Sequence, residues 1–211
     1  MRVTAHTKYY LKDGTLVAGT TTVTGILDKK GLPKWANELG LRGIDITKYV
    51  NEMADIGSLG HYIIECHLKK EEPDLKDYTE NQITKARNLA QRFLSWKDEN
   101  KFEFIKSELK MVSEQYRYGG TIDIYCLLNG KKTLIDIKTS KGIFDEHRMQ
   151  VSAYKQLLVE NGHPVEDVRI IRIGRQDNEG FEDSKVSNLD LHFKKFLLCL
   201  EIYNLDRELK K

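Results

Sequence analysis

Asp123, Asp136 and Lys138 stand in the stretch TIDIYCLLNGKKTLIDIKTS, residues 121–140, with the aspartates evenly spaced about Asn129-Gly130. Asn-Gly between two β-rich runs predicts a two-residue type I′ hairpin, because both turn positions need φ > 0. Pairing Leu128 with Lys131 then sets Asp123 opposite Asp136 and Thr121 opposite Lys138. Strand alternation puts Ile122, Ile124, Ile135 and Ile137 on a core face. Thr121, Asp123, Tyr125, Leu134, Asp136 and Lys138 take the other. Two ionised carboxylates within about 5 Å push at least one pKa upward unless a cation lies between them. A divalent metal resolves the conflict; a protonated acid, or screening by Lys138 and solvent, is the alternative. Hard oxygen ligands suit Mg²⁺ or Mn²⁺, whose retained waters can be activated for attack on phosphorus. Lys138, on the same side as Asp136, could orient that water or stabilise charge on the phosphate.

The acid-x-lysine motif means little alone, since Asp28-x-Lys30, Asp74-x-Lys76, Glu108-x-Lys110 and Asp183-x-Lys185 repeat it. Only the copy at 136 lies in a β-branched strand with a second acid in cross-strand register. Downstream, Gln150 and Tyr154 are four apart and share a helix face, although Tyr154 also fits a core stripe. Upstream, GSLGHYIIE places His61 and Glu65 one helical turn apart. The cluster His61, Glu65, Cys66, His67 does not have zinc-site spacing.

These residues need elements to hold them. Tyr9 to Leu11 and Leu16-Val17 flank Lys12-Asp13-Gly14 as a hairpin, and a helix is expected from Gly25 to Leu39, interrupted at Pro33. Helices follow at about 46–70 and 79–100, the latter with Ile83, Ala86, Leu89, Ala90, Phe93 and Leu94 at helical spacing. From Phe102 the period becomes two, giving three strands, then a helix at 145–161, a strand at 168–173 and a helix at 189–209. The reading is one domain over 1–211, with residues 1–100 mostly helical and 101–211 a β-β-β-α-β-α core.

Forty per cent hydrophobic and 31% charged residues describe an ordinary globular chain. A net charge of +2 neither demands nor excludes nucleic acid. Cys66, Cys126 and Cys199 are widely spaced in apolar contexts and are expected to be buried, reduced thiols of a cytoplasmic protein. No apolar run reaches about 18 residues, and the start carries no signal-peptide core, so no membrane partner is expected. Basic residues that could meet a phosphate backbone are Lys29, Lys30, Lys34, Lys138, Lys141, Arg148, Arg172 and Arg175; Trp35 and Trp96 could stack on bases, although core packing suits both.

Taken in order, His61 with Glu65, GGTIDIY around Asp123, LIDIKTS around Asp136 and Lys138, and QVSAYKQLL with Gln150 and Tyr154 resemble the PD-(D/E)XK nuclease superfamily. Within it they resemble the RecB-like branch of recombination, phage and mitochondrial exonucleases. The likeness covers roughly residues 57–160, and TTTVTGIL with LPKWA looks like the opening segment of such proteins. It implies an α/β (α+β) fold with a restriction-endonuclease-like core, a central mixed sheet flanked by helices. It also implies that His61, Asp123, Asp136 and the Ile137 carbonyl bind Mg²⁺ or Mn²⁺, that Lys138 is the catalytic lysine, and that Gln150 and Tyr154 contact DNA or brace the site. Glu108 falls where many relatives carry an assisting acid. The iron-sulfur cluster of one branch is not expected, because the clustered cysteines it needs are missing from this sequence. The activity implied is a DNA exonuclease leaving 5′-phosphates in recombination, repair or phage DNA processing, acting on DNA with a free end. A recombination or replication protein is a compatible partner, and spacing specifies no oligomeric state. A structure- or sequence-specific endonuclease, or a non-catalytic DNA-end-binding module, are the other readings.

Overall fold

The computed structural model describes residues 7–27, 29, 31–175 and 177–210; Asp28 and Lys30, with the motif copy they form, lie outside this set. The opening hairpin is β1 (Tyr9–Tyr10) and β2 (Leu16–Gly19), antiparallel with Tyr9 opposite Val17. At its turn Asp13 Oδ1 accepts from the Thr15 amide at 2.8 Å, and Gly14 takes φ +81°. Four helices follow: α1 (Thr20–Thr24), α2 (Leu32–Leu41), α3 (Ile46–Lys69) and α4 (Glu80–Glu99). The Asp45 side chain caps α3 by accepting from the Lys48 amide, and a Thr79–Gln82 capping box starts α4. The helix expected from Gly25 with a break at Pro33 is not formed that way. Thr20 to Thr24 are themselves helical, and Pro33 sits in the first turn of α2, where its missing N–H breaks no bond.

The second half contains β3 (Phe102–Ser113), β4 (Tyr118–Leu128), β5 (Lys131–Lys138), α5 (Asp145–Glu160), β6 (Asp167–Ile173), β7 (Phe181–Lys185) and α6 (Leu189–Glu208). Sequence reasoning left out β7, whose FEDSK is a polar strand paired to β6 without an apolar alternation. Among the described residues seven strands form one mixed sheet, with β2–β4 and β5–β6 parallel and the other pairs antiparallel.

Both faces of the sheet are buried. Ile124, Ile135 and Ile137 pack with Ile56 and Ile64 of α3 and Phe93 of α4. Ile122, Tyr125 and Leu134 pack with Val151, Tyr154 and Leu157 of α5 and Phe196 of α6. The isoleucine face is therefore only one of two cores, and Ile122 belongs to the other one.

The edges of β4 explain where a site can form. β3 covers one edge from Leu128 down to Tyr118. The opposite edge changes partner: β2 pairs at Tyr118 and Gly119, β5 pairs from Ile124 to Leu128, and residues 120–123 are paired to neither. The C-terminal ends of β2 and β5 both arrive at this gap.

Since α4 shares its core with the sheet, Phe93→Ala should cost about 3–5 kcal/mol. In a urea titration the helical far-UV signal and the tryptophan emission of this variant should be lost together, at an equally lowered midpoint.

Candidate active site

The gap in β4 opens into a cleft of about 650 Å³ lined by His61, Glu65, Glu108, Asp123, Ile137, Lys138, His147, Tyr154 and Arg175, among others. The expected hairpin register holds over five pairs, from Leu128 opposite Lys131 to Ile124 opposite Ile135. It stops one step before the aspartates. There the Ile137 amide, without a strand partner on β4, donates to Asp123 Oδ2 at 2.8 Å. A buried N–H needs an acceptor, and here a side chain supplies it.

Asp136 is fully buried. Lys138 Nζ donates to its Oδ1 at 2.9 Å and lies 2.7 Å from Oδ2, yet Oδ2 has no hydrogen bond of acceptable geometry. Gln150 Nε2 lies 3.4 Å from Oδ1 and donates to the Tyr154 hydroxyl at 2.8 Å. The side-chain amide thus spends its two N–H groups on the carboxylate and the phenol, a use that fixes which end is nitrogen. The Tyr154 ring lies against Gly120, where an added Cβ would stand 2.5 Å from Cε1.

On the other wall, α3 brings His61 Nδ1 to 3.6 Å from Asp123 Oδ2. That approach depends on Gly57, since a Cβ there would come within 2.5 Å of Thr139 Oγ1 at the end of β5. Glu65, one turn further along, is paired with Lys69. Glu108 lies on β3 with φ +50°, between Leu109 and Ser107, which pair with Ile122 and Ile124, so it sits across from Asp123. A non-glycine residue in the left-handed region within a strand costs about 1–3 kcal/mol, and such strain gathers at functional sites.

The titratable groups of the cluster shift one another. Burial raises the Asp123 carboxyl, against the pull of Lys138 and the Ile137 amide. Burial also raises Asp136, with Lys138 opposing and Asp123 adding to the push. Desolvation, then Asp123 and Glu65, push the Glu108 carboxyl up to about 8, although the residue is exposed and solvent screens much of this push. Desolvation and Lys138 hold His61 down at about 4, and the same causes hold His147 at about 4. Both imidazoles are neutral at pH 7, the form that can ligate a metal.

Among the described residues, no three imidazole, carboxylate or thiol groups are gathered closely enough to hold an ion as they stand. The donors nonetheless suit a hard divalent cation in kind, and the Asp136 oxygen without a hydrogen-bond donor is the position such a cation would satisfy. Lys138 lies against both oxygens of Asp136.

All the expected site residues, His61, Glu108, Asp123, Asp136, Ile137, Lys138, Gln150 and Tyr154, lie in or against this cleft. Sequence reasoning missed His147, three residues before Gln150, whose Nδ1 accepts from the Phe144 amide at 3.3 Å while its ring lines the cleft. Of the basic candidates, Arg175 lines the cleft and donates to the Thr139 carbonyl at 2.7 Å. Arg172 is instead structural, buried between Glu182 and the carbonyls of Glu179 and Ser140. Lys29 pairs with Glu146 and Arg148 with Asp145. Trp96 is in the core and donates to Asp183, while Trp35 packs on Tyr49. Cys66, Cys126 and Cys199 are buried free thiols.

A crystal structure of a "putative exonuclease" from Eubacterium rectale matches with a TM-score of 0.52 at 12% identity, over 74% of this chain and 66% of that one. The two share a fold. This chain thus spans just under two thirds of that protein's length. The alkaline exonuclease LHK-Exo from Laribacter hongkongensis matches over 92% of this chain at 13% identity and a TM-score of 0.38. LHK-Exo in complex with dAMP matches over 75% at 10% identity and 0.42. No protein-family model matches the chain, and no curated protein matches it in sequence. No helix among the described residues is long and apolar enough to cross a membrane.

Glu108 gives a pH signature. Its folded pKa is raised above the unfolded value near 4.5, so its contribution to stability is full below 4.5 and is lost as pH rises through about 8. The lowered histidines act below 6.5 and do not compete above it. In chelator, thermal melts should show stability falling from pH 6.5 to 8, and Glu108→Gln should flatten that decline.

Proposed function

We propose that this chain is a metal-dependent DNA exonuclease that hydrolyses phosphodiester bonds and leaves 5′-phosphates. The observation that carries the reading is the buried Asp136 at the β4 gap, ion-paired to Lys138 with Oδ2 lacking a hydrogen bond of acceptable geometry, and Asp123, Glu108 and His61 lining the adjoining cleft. The shared fold with an exonuclease-described structure supports it.

Asp136 Oδ2, Asp123, His61 and the Ile137 carbonyl would hold Mg²⁺ or Mn²⁺. When bound, the ion supplies positive charge at the phosphate and makes a water acidic enough to attack at neutral pH. Lys138 contributes a fixed ammonium beside Asp136, able to bind a phosphate oxygen and stabilise charge that develops on it. Gln150 clamps Asp136 from behind, and Tyr154 holds Gln150. Neutral His61 accepts no proton until pH falls towards 4, so it stays a neutral donor atom over the working range. Glu108, its carboxyl raised first by desolvation and then by Asp123 and Glu65, is the group that would release a proton as positive charge arrives. The substrate is single- or double-stranded DNA with a free end, and recombination, repair or phage DNA processing is the setting in which such ends arise.

End-labelled single- and double-stranded linear DNA and a covalently closed circle, each with Mg²⁺, Mn²⁺ or chelator, test this. Linear DNA should shorten to 5′-phosphate products only with metal, and the circle should survive. Lys138→Ala and the isosteric Asp136→Asn should each lower the rate by about 10²–10³ while melting as cooperatively as the parent. A cut circle would make the chain an endonuclease. Binding of DNA ends with no cleavage would leave a binding module, and a Lys138→Ala variant as fast as the parent would remove the assignment.

A further inference from the structure

The helix α6 is apolar on two faces. Phe193, Phe196, Leu197 and Leu200 belong to the core beneath the sheet. Leu191, Leu198, Ile202, Leu205 and Leu209 are 67, 54, 50, 51 and 86% exposed. With Lys195 these five alternate steps of four and three along the helix, the a/d repeat of a two-helix seam. From Glu201 to Glu208 only Tyr203 is even partly covered, so the helix runs out from the body with its stripe in solvent. At 1.5 Å per residue the stripe is about 27 Å long. Single exposed leucines are ordinary, whereas a continuous apolar seam marks an interaction surface.

We propose that this face pairs with the same face of a second copy of the chain, antiparallel about a two-fold axis. The flanking charges select that occupant and that direction. Aligning Leu198 with the partner's Ile202 also places Leu191 against the partner's Leu209, and Lys195 against the partner's Leu205. Lys195 Nζ lies 3.6 Å from Asp145 Oδ2, so its ammonium is drawn towards α5 and its stem is left to cover the seam. In this alignment Lys194 faces the partner's Glu208, twice by symmetry, and His192, whose imidazole burial keeps neutral, faces the partner's Asp206 without repulsion. Glu201 meets its own counterpart on the axis, the one like-charge contact. A parallel alignment would instead set Glu201 against the partner's Asp206 twice and leave Lys194 facing the partner's Cys199, with no compensating attraction.

Sedimentation equilibrium on the whole chain tests the pairing. At about 100 µM, well above a micromolar Kd, the parent should be a dimer. Leu198→Glu with Leu205→Glu should make it a monomer with unchanged far-UV circular dichroism, since both side chains lie outside the core. Lys194→Glu should weaken association about three- to tenfold, and adding Glu208→Lys should restore it. A Glu201→Cys variant should cross-link to itself under mild oxidation, which a parallel pair would not allow. A monomeric parent at this concentration would assign the face to a different occupant and overturn the proposal. So would a dimer that survives the two glutamates, or a charge swap that restores nothing.

Discussion

One constraint organises the site: the edge of β4 passes from β2 to β5 and leaves four residues without a strand on that side. Backbone groups at such a break must find other partners or lose the hydrogen bonds they made with water in the unfolded chain. The Ile137 amide finds Asp123. That contact fixes a carboxylate relative to the end of β5, and the end of β5 carries Asp136 and Lys138. The geometry of the acidic centre is therefore set by a backbone accounting requirement rather than by attraction among the acids, which repel one another.

Burial then decides the electrostatics. Asp136 lies in a sheet covered on both faces, so its charge has lost water without gaining a full set of donors. Lys138 compensates part of this, at a distance short enough for a strong pair. A buried pair is weak grounds for stability, because desolvation consumes much of the Coulombic gain. Two apolar residues at 136 and 138 would hold the sheet at least as well, so the stability of the fold does not explain the pair. The same reasoning covers Glu108, which occupies a strained backbone position among like charges. Unfavourable placements of this kind, the buried pair and Glu108, gather at functional sites.

How far this was legible in the sequence depends on which signals are local. The Asn129-Gly130 turn fixed the register because turn geometry is local, and the spacing of Gln150 and Tyr154 fixed their common helix face for the same reason. Long helices were readable from their period and caps. Face assignment on the strands was less so: a strand buried on both sides carries no polar alternation, and Ile122 fell into the second core. Arg172 read as a surface cation because nothing local reveals that Glu182 and two carbonyls enclose it. His147 had no motif, and its place in the cleft comes from the loop between β5 and α5. Short α1 and polar β7 lack a period long enough to detect, and tertiary pairing alone makes them.

The helical first half is not an accessory to the sheet. Gly57 lets α3 touch Thr139, and one turn further along the helix His61 Nδ1 lies 3.6 Å from Asp123 Oδ2. The same helix buries Ile56 and Ile64 against Ile124, Ile135 and Ile137, so the residues that hold α3 in place alternate along the strands with those that form the site. A shift of β5 by one residue would exchange the two sets, turning Asp136 towards Ile56 and Phe93 and Ile135 or Ile137 towards Gln150. Hydrophobic packing on one face thus enforces the direction of the Asp136 carboxylate, and the apolar and charged residues of β5 constrain each other through the period of the strand.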